Sequence, residues 1–136
     1  MVDRQRVLSF IAAVVGGDHV QAIKDYYHPD ASMQENGLPP RKGRDALVAH
    51  EAAALERMRI FTHPVTTFLV DGDRVAIEWT FDMTDKIGEV RRMNEIAIQL
   101  WRGDRIAEER FFYDSRAVLS PIGKGEPHGS DAKSSS

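Results

Sequence analysis

The chain contains no cysteine. That removes disulfide frameworks and thiolate metal sites, and makes a reducing compartment, the cytoplasm, the expectation. Long apolar runs are also missing, since none approaches the roughly 20 residues that span a bilayer. The N-terminal MVDRQRVLSFIAAVVGGDH has only a short apolar run, preceded by the acidic Asp3 and spaced helically. It reads as a folded helix rather than a signal sequence, so a soluble protein with no membrane partner is expected. Positive charge is scarce as well: 18 Lys and Arg face 21 Asp and Glu, for a formal net charge of -3 and a pI near 5.9. The pair Arg91-Arg92 is too small a footprint for a phosphate backbone, which excludes nucleic acid as a partner. There is no glycine-rich phosphate loop, because GKGEPH lacks the final glycine. His50-Glu51 opens like a zinc-binding HExxH, but Ala54 stands where the second histidine belongs. No other set of His, Asp and Glu has metal-ligand spacing. No metal and no cofactor are expected.

What is present is periodicity. The 136 residues suit one domain that buries roughly two-thirds of its unfolded surface. Val7, Phe10, Ile11, Val14 and Val15 recur at three and four residues and form one helical stripe, ended by Gly16-Gly17. Asp18 can cap a second short helix through Val20, Ile23 and Tyr27, which Pro29 stops. ASMQE is a strand, NGLPPRKGRD a loop, and Leu47, Ala54, Leu55 and Met58 set a third helix on a core. Strands are then predicted over Arg59 to Val70, Arg74 to Met83, Val90 to Trp101 and Arg105 to Asp114, joined by DGD, TDKIGE and RGD turns as antiparallel hairpins. In the second of these, Val75, Ile77, Trp79, Phe81 and Met83 alternate with Glu78, Thr80 and Asp82, so one face is dry. If one face lines a pocket, the other needs cover, which points to a homodimer through the sheet. The end, LSPIGKGEPHGSDAKSSS, has no periodicity. The expected organisation is one α+β domain over residues 1–120 and a flexible C-terminal tail over 121–136.

The order of elements, with GDHVQAIKDYYHPDASMQ, GRDAL and the closing RGDRIAEERFFYD, resembles the SnoaL-like, polyketide cyclase-like branch of the NTF2-like superfamily over nearly the whole chain before the tail. The resemblance implies an NTF2-like cone: N-terminal helices packed on a curved antiparallel sheet that encloses a pocket, often in a dimer. It also implies a small hydrophobic ligand or substrate. The superfamily includes cyclases, ketosteroid isomerase, dehydratases, epoxide hydrolases and proteins that only bind, so the fold does not decide the function.

Similarity to ketosteroid isomerase places a carboxylate base on Glu35, at the end of the first strand. It places Phe10 at the position of that enzyme's tyrosine and Ala97 at that of its protonated aspartate, neither of which can donate a hydrogen bond; the handling of that oxyanion is a known case of a carboxyl kept neutral. Losing one such donor typically costs about 2.7 to 4 kcal/mol of transition-state stabilisation, which argues against steroid isomerisation by that route. Similarity to the polyketide cyclases places the acid/base on Asp114, where burial among Phe111, Phe112 and Tyr113 would raise its pKa. The cyclases follow that aspartate with a Gln-Leu-Gly segment, whereas this chain has Ala117-Val118-Leu119-Ser120-Pro121.

Each candidate also has a bland reading. Asp114 can cap the strand end or pair with Arg116, and Glu35 can be a solvated acid before Asn36-Gly37. Strand parity puts Glu95 on one face with Met93, Ala97, Gln99 and Trp101, but does not say which face is inside. Glu108-Glu109-Arg110 is a mixed-charge run of the kind that is normally solvated or paired, so at most one or two of them should line a cavity. His63 is either a pocket acid/base or a structural histidine, and Tyr26 or Tyr113 would orient a ligand. The candidate catalytic residues are therefore Asp114 and Glu35, and the candidate binding residues Phe10, Tyr26, His63, Trp79, Glu95, Trp101 and Tyr113. Two functions remain open: cofactor-independent acid/base catalysis of the cyclase, isomerase, dehydratase or hydrolase type on a carbonyl or polyketide-like substrate, and a non-catalytic small-molecule-binding or dimerisation module.

Overall fold

In the computed structural model, residues 1–125 are described. The first helix, α1 (Arg4–Val15), is capped by the Asp3 carboxylate, which accepts the Gln5 N–H at 2.9 Å. Its buried face is Val7, Phe10 and Ile11, the three- and four-residue stripe. Gly17, at φ +94, turns the chain into α2 (His19–Tyr26), whose buried residues are His19, Ala22, Ile23 and Tyr26. β1 (Tyr27–Glu35) follows at once. The helix therefore stops before Pro29, and the strand starts earlier than ASMQE. Proline is tolerated there because the pairing of β1 is irregular between Tyr27 and Ser32, where a missing N–H breaks no ladder bond.

After β2 (Arg41–Lys42) comes α3 (Arg44–Arg57), with only Leu47 buried. That single anchor makes a sharp prediction. Leu47→Ala should destabilise the fold by about 2 to 5 kcal/mol, read as a lower urea midpoint at unchanged m-value; a change below about 0.5 kcal/mol would show that α3 is held some other way.

The expected strand over Arg59 to Val70 is two: β3 (Arg59–Thr62) and β4 (Phe68–Asp71). His63-Pro64 interrupts it, since proline cannot donate to the ladder. Both pieces pair with β5 (Arg74–Thr84), through Thr62 with Phe81 and Phe68 with Ile77. β6 (Glu89–Arg102) and β7 (Arg105–Tyr113) complete the meander. The glycines of the DGD and RGD turns, Gly72 and Gly103, sit at φ +62 and +68, which side chains with a Cβ rarely adopt.

The sheet order is β2-β1-β7-β6-β5-β3, with β4 also on β5. β1 runs parallel to β7, so the sheet is mixed rather than purely antiparallel: the long crossover through α3 and the meander returns the chain beside its first strand in the same direction. The sheet also takes in two residues of the C-terminal segment. Gly123–Lys124 form β8 on β6, and the Ile122 N–H donates to the Val90 carbonyl at 2.7 Å. Residues 126–136 of that segment lie outside the described residues. Among the described residues no helix is long and apolar enough to cross a membrane.

The helices cover one sheet face. Phe10 is the hinge pin of that core, with edge-on ring contacts to Tyr26 at 5.4 Å, Tyr27 at 6.1 Å, and Trp79 and Trp101 at 6.2 Å. Residues of alternate parity on β5, β6 and β7 share this inner face: Trp79 pairs with Glu95, Glu95 with Tyr113, and Gln99 with Glu109. The dry face of β5 is therefore the inside, and β6 turns its Met93-Glu95-Ala97-Gln99-Trp101 side the same way.

Candidate functional site

Helices and inner sheet face enclose a cavity of about 170 Å³. Its apolar wall includes Phe10, Ile23, Met33, Phe111 and the parallel pair Trp79–Phe81, whose rings stack at 5.7 Å and 23°. Into this apolar space project four carboxyl side chains, Glu35, Glu51, Glu95 and Glu109, with His19, His50 and Tyr27; among the described residues no lysine or arginine lines it.

Glu95 is the group least supported by its surroundings. It is only 7% exposed, and among the described residues no hydrogen bond or ion pair reaches it. An isolated buried carboxylate is costly, so the acid takes a proton instead. Burial, reinforced by the charges of Glu109, Glu35 and Glu51, pushes its pKa up to about 8. At neutral pH it is a neutral carboxyl facing the cavity, able to donate.

Glu109 is equally deep but fully partnered. It accepts from the Tyr27 hydroxyl and from the Gln99 amide at 2.7 Å, and Gln99 in turn accepts the Trp101 indole N–H at 2.9 Å. Burial raises its pKa to about 7 against these two donors. Burial first, then the Glu109 charge and hydrogen bond, lifts Tyr27 well above 10.0. This chain is a satisfied polar layer in the cavity wall.

Glu35 ends β1 near the cavity mouth and is 33% exposed. The Tyr113 hydroxyl donates to its Oε1 at 2.8 Å, while Arg41 and the His50 ring stand 3.8 and 3.9 Å from Oε2. The strand end is pinned from the other side: the Asn36 N–H donates to the Phe111 carbonyl at 2.8 Å, and the Tyr113 N–H to the Asn36 side-chain oxygen at 3.1 Å. Desolvation first, then Glu35, raises the Tyr113 pKa to about 12, so that hydroxyl stays a donor. Because Tyr113 is also the cross-strand neighbour of Glu95, it ties together the two carboxyl groups.

His19 and Glu51 form the helical side. The His19 Nε2 lies 3.1 Å from the Val14 carbonyl and 3.0 Å from the Thr62 hydroxyl, and its Nδ1 lies 3.3 Å from the Glu51 carboxyl.

Of the residues singled out from sequence, Phe10, Glu35, Trp79 and Glu95 line the cavity, and Tyr113 bonds to one of them. Asp114 does not. It is exposed on the turn after β7, where its carboxylate accepts the Arg116 N–H at 2.9 Å. The expected burial among aromatics fails because Phe111 and Tyr113 point in while Phe112 and Asp114 alternate out. Tyr26 is buried against Phe10, bonded to the Ser9 hydroxyl and covered by the Arg6 guanidinium at 4.1 Å. His63 lies on the far side of the sheet, 2.9 Å from an Asp82 carboxylate that Arg92 also holds at 2.7 Å. Trp101 is core, bonded to Gln99. None of these three is in the cavity wall.

His19, Glu51 and Tyr27 were not recognised as cavity groups from sequence, and Glu109 was expected only as a member of a run of which at most one or two residues would line a cavity. For Glu109 a signal existed: it shares parity with Phe111 and Tyr113. For His19 and Glu51 none did, because they meet only once α2 packs on α3. Among the described residues no three His, Cys, Asp or Glu side chains converge as a metal site.

Several solved structures share this architecture. A protein from Mesorhizobium loti named for SnoaL-like polyketide cyclases is 26% identical, with a TM-score of 0.72 over 81% of this chain and 97% of that one. An LEH-like epoxide hydrolase of M. tuberculosis is 14% identical, with a TM-score of 0.71 over 85% of this chain and 84% of that one. A protein of ketosteroid isomerase-like fold from Catenulispora acidiphila, in complex with trimethylamine, is 18% identical, with a TM-score of 0.73 over 93% and 97%. No curated protein matches the chain in sequence. Residues 7–109 match the SnoaL-like domain, a span that runs from the buried face of α1 to the buried acid of β7, and the chain belongs to that family.

Proposed function

We propose that the cavity performs cofactor-independent acid–base chemistry on a small, largely apolar carbonyl compound. Glu35 takes a proton from the carbon beside the carbonyl, and the neutral Glu95 carboxyl donates a hydrogen bond to the oxygen on which negative charge develops. The observation that carries this reading is Glu95: a carboxyl 7% exposed, without a partner among the described residues, aimed into a wall of aromatic and methionine side chains. A buried donor left unpaired by the protein is stabilised by a ligand that pairs with it. Glu35 differs in the way a base should. It already accepts from Tyr113 and stands near Arg41 and His50, so the two carboxyls sit in unlike surroundings, the arrangement that separates acid from base. Relatives named for polyketide cyclases and an epoxide hydrolase support small-molecule chemistry on this scaffold. The test is exchange of the α-protons of cyclohexanone in D2O, followed by proton NMR. The protein should accelerate it over buffer and over denatured protein; the buffer rate alone would reject the reading.

The outer sheet face completes this proposal with a second copy of the chain. Ile96 and Phe112 are cross-strand partners there, 37% and 38% exposed, side by side and flanked by polar Glu78 and Asn94. Light scattering should give a dimer mass at micromolar concentration, and Ile96→Lys should shift it towards monomer. A monomer in the wild type would overturn this part.

A further inference from the structure

Negative charge and aromatic surface coincide in the cavity wall. Glu35, Glu51, Glu95 and Glu109 reach it from four different elements, β1, α3, β6 and β7. Among the described residues no lysine or arginine answers them there; Arg41 stands 3.8 Å from Glu35 Oε2 but does not line the cavity. Two of the acids have an aromatic residue as cross-strand neighbour: Trp79 beside Glu95 and Phe111 beside Glu35. Phe10 and Phe81 extend that surface, edge-on to Trp79 at 6.2 Å and stacked on it at 5.7 Å. Glu95 is the separate sign of a missing occupant. It is 7% exposed, lines the cavity, and among the described residues is met by no hydrogen bond or ion pair, so the protein itself leaves it unanswered.

We infer that the cavity is a site for a small organic ammonium ion, held in preference to an uncharged molecule of the same shape. A cleft lined by charge of one sign within low-dielectric walls concentrates the opposite charge. An inorganic ion would need oxygen ligands converging on one point, and among the described residues no three acidic or histidine side chains converge so. An ammonium ion with an apolar skin needs no such convergence, because aromatic rings and the field of the carboxylates hold it together. The cavity of about 170 Å³ is close to the roughly 150 Å³ that accepts benzene in an apolar protein interior, which limits the ion to a few carbons. This goes beyond the acid–base reading and does not need proton transfer. Cation and ketone are alternative occupants: a ketone oxygen takes the hydrogen of protonated Glu95, whereas a cation sits against Glu95 without it.

The preference therefore depends on pH, with a sign set by the groups around Glu95. Facing it are Glu35 and Tyr27 from β1, Glu109 and Tyr113 from β7, Glu51 and His50 from α3, and His19 from α2. Glu95 gains its charge as pH rises through about 8, and Glu109 gains its own through about 7. Tyr113, raised to about 12, and Tyr27, raised well above 10.0, stay neutral throughout. A proton on either histidine opposes the cation. Every contribution makes cation binding stronger as pH rises.

The test is calorimetric titration with choline, whose charge is permanent, and with 3,3-dimethylbutan-1-ol, which replaces the charged nitrogen by carbon. At pH 9 choline should bind at least about tenfold more tightly than the alcohol, and its affinity should rise about tenfold between pH 6.5 and 9, as one unit of displaced pKa requires. In Glu95→Gln that rise should shrink to about threefold or less, leaving the part due to Glu109 and the histidines. Nuclear Overhauser contacts from the choline methyl groups to the Trp79 ring place the ion in the cavity. Choline no tighter than the alcohol at pH 9, an affinity that is flat or falls with pH, a full rise in Glu95→Gln, or bound choline without contact to Trp79 each overturns the inference. Should Glu95→Gln fail to fold, the wild-type titrations at the two pH values decide. Choline binding without ketone exchange upholds this inference and rejects the acid–base reading; exchange without a choline preference does the reverse.

Discussion

Glu95→Gln is expected to stabilise the protein at about pH 9 by roughly 3 to 5 kcal/mol over wild type while changing little at about pH 4. A carboxyl that titrates at 4.5 when unfolded and about 8 when folded favours the folded state in its protonated form. Its contribution is fully present below 4.5 and is lost as pH rises through 8, because each pH unit in that interval costs about 1.4 kcal/mol. Glu109, raised to about 7, adds a loss of the same sign over a narrower window. Asp82 works elsewhere: its hydrogen bond from Arg92 lowers it below 3.8, so its contribution is lost only as pH falls into the acid range. Glutamine keeps the shape of Glu95 without the titration. Urea melts from pH 4 to 9 should therefore slope downward for wild type and flatten for the variant. Parallel slopes would show that Glu95 is ionised at neutrality or paired in solution.

The second large effect concerns rate. Glu35→Gln should lower α-proton exchange by roughly 100 to 10,000-fold, the usual contribution of a positioned base, with the fold retained because Tyr113 can donate to an amide oxygen as it does to the carboxylate at 2.8 Å. Asp114→Asn should leave the rate within about twofold, since Asp114 is an exposed turn residue bonded to the Arg116 N–H. The contrast between the two variants is the informative result. A dead Asp114→Asn beside an active Glu35→Gln would move the chemistry out of the cavity, to the end of β7.

Sequence periodicity carried far in this chain, and its failures have physical causes. The stripe of α1 and the alternation of β5 named their inner residues correctly, because both elements have one dry and one wet face. Parity on β6 grouped Glu95 with Met93, Ala97, Gln99 and Trp101, but the opposite side, with Ile96, Ile98 and Leu100 beside Asn94, is as apolar and hid which side was inside; only the cross-strand register with Trp79 answers that. Pro64 was a visible strand breaker within a run that read as continuous. The parallel pairing of β1 with β7 joins residues about eighty apart, and no local pattern encodes it. Asp114 was misplaced by composition: three aromatics precede it, yet alternation sends its side chain outward with Phe112. The pairing of His19 with Glu51 depends on the packing of two helices, each of which reads as an ordinary amphipathic segment by itself.

The neutral carboxyl of Glu95 is common to the stability profile and the proposed chemistry, and it can be observed without a substrate. Carbon-13 NMR of the glutamate side-chain carboxyl carbons, with the Glu95 signal assigned by its loss in Glu95→Gln, follows its protonation directly. A midpoint near pH 8 is expected, with the neutral form dominant at pH 7; a midpoint near 4.5, the ordinary value for a solvated glutamate, would contradict the account.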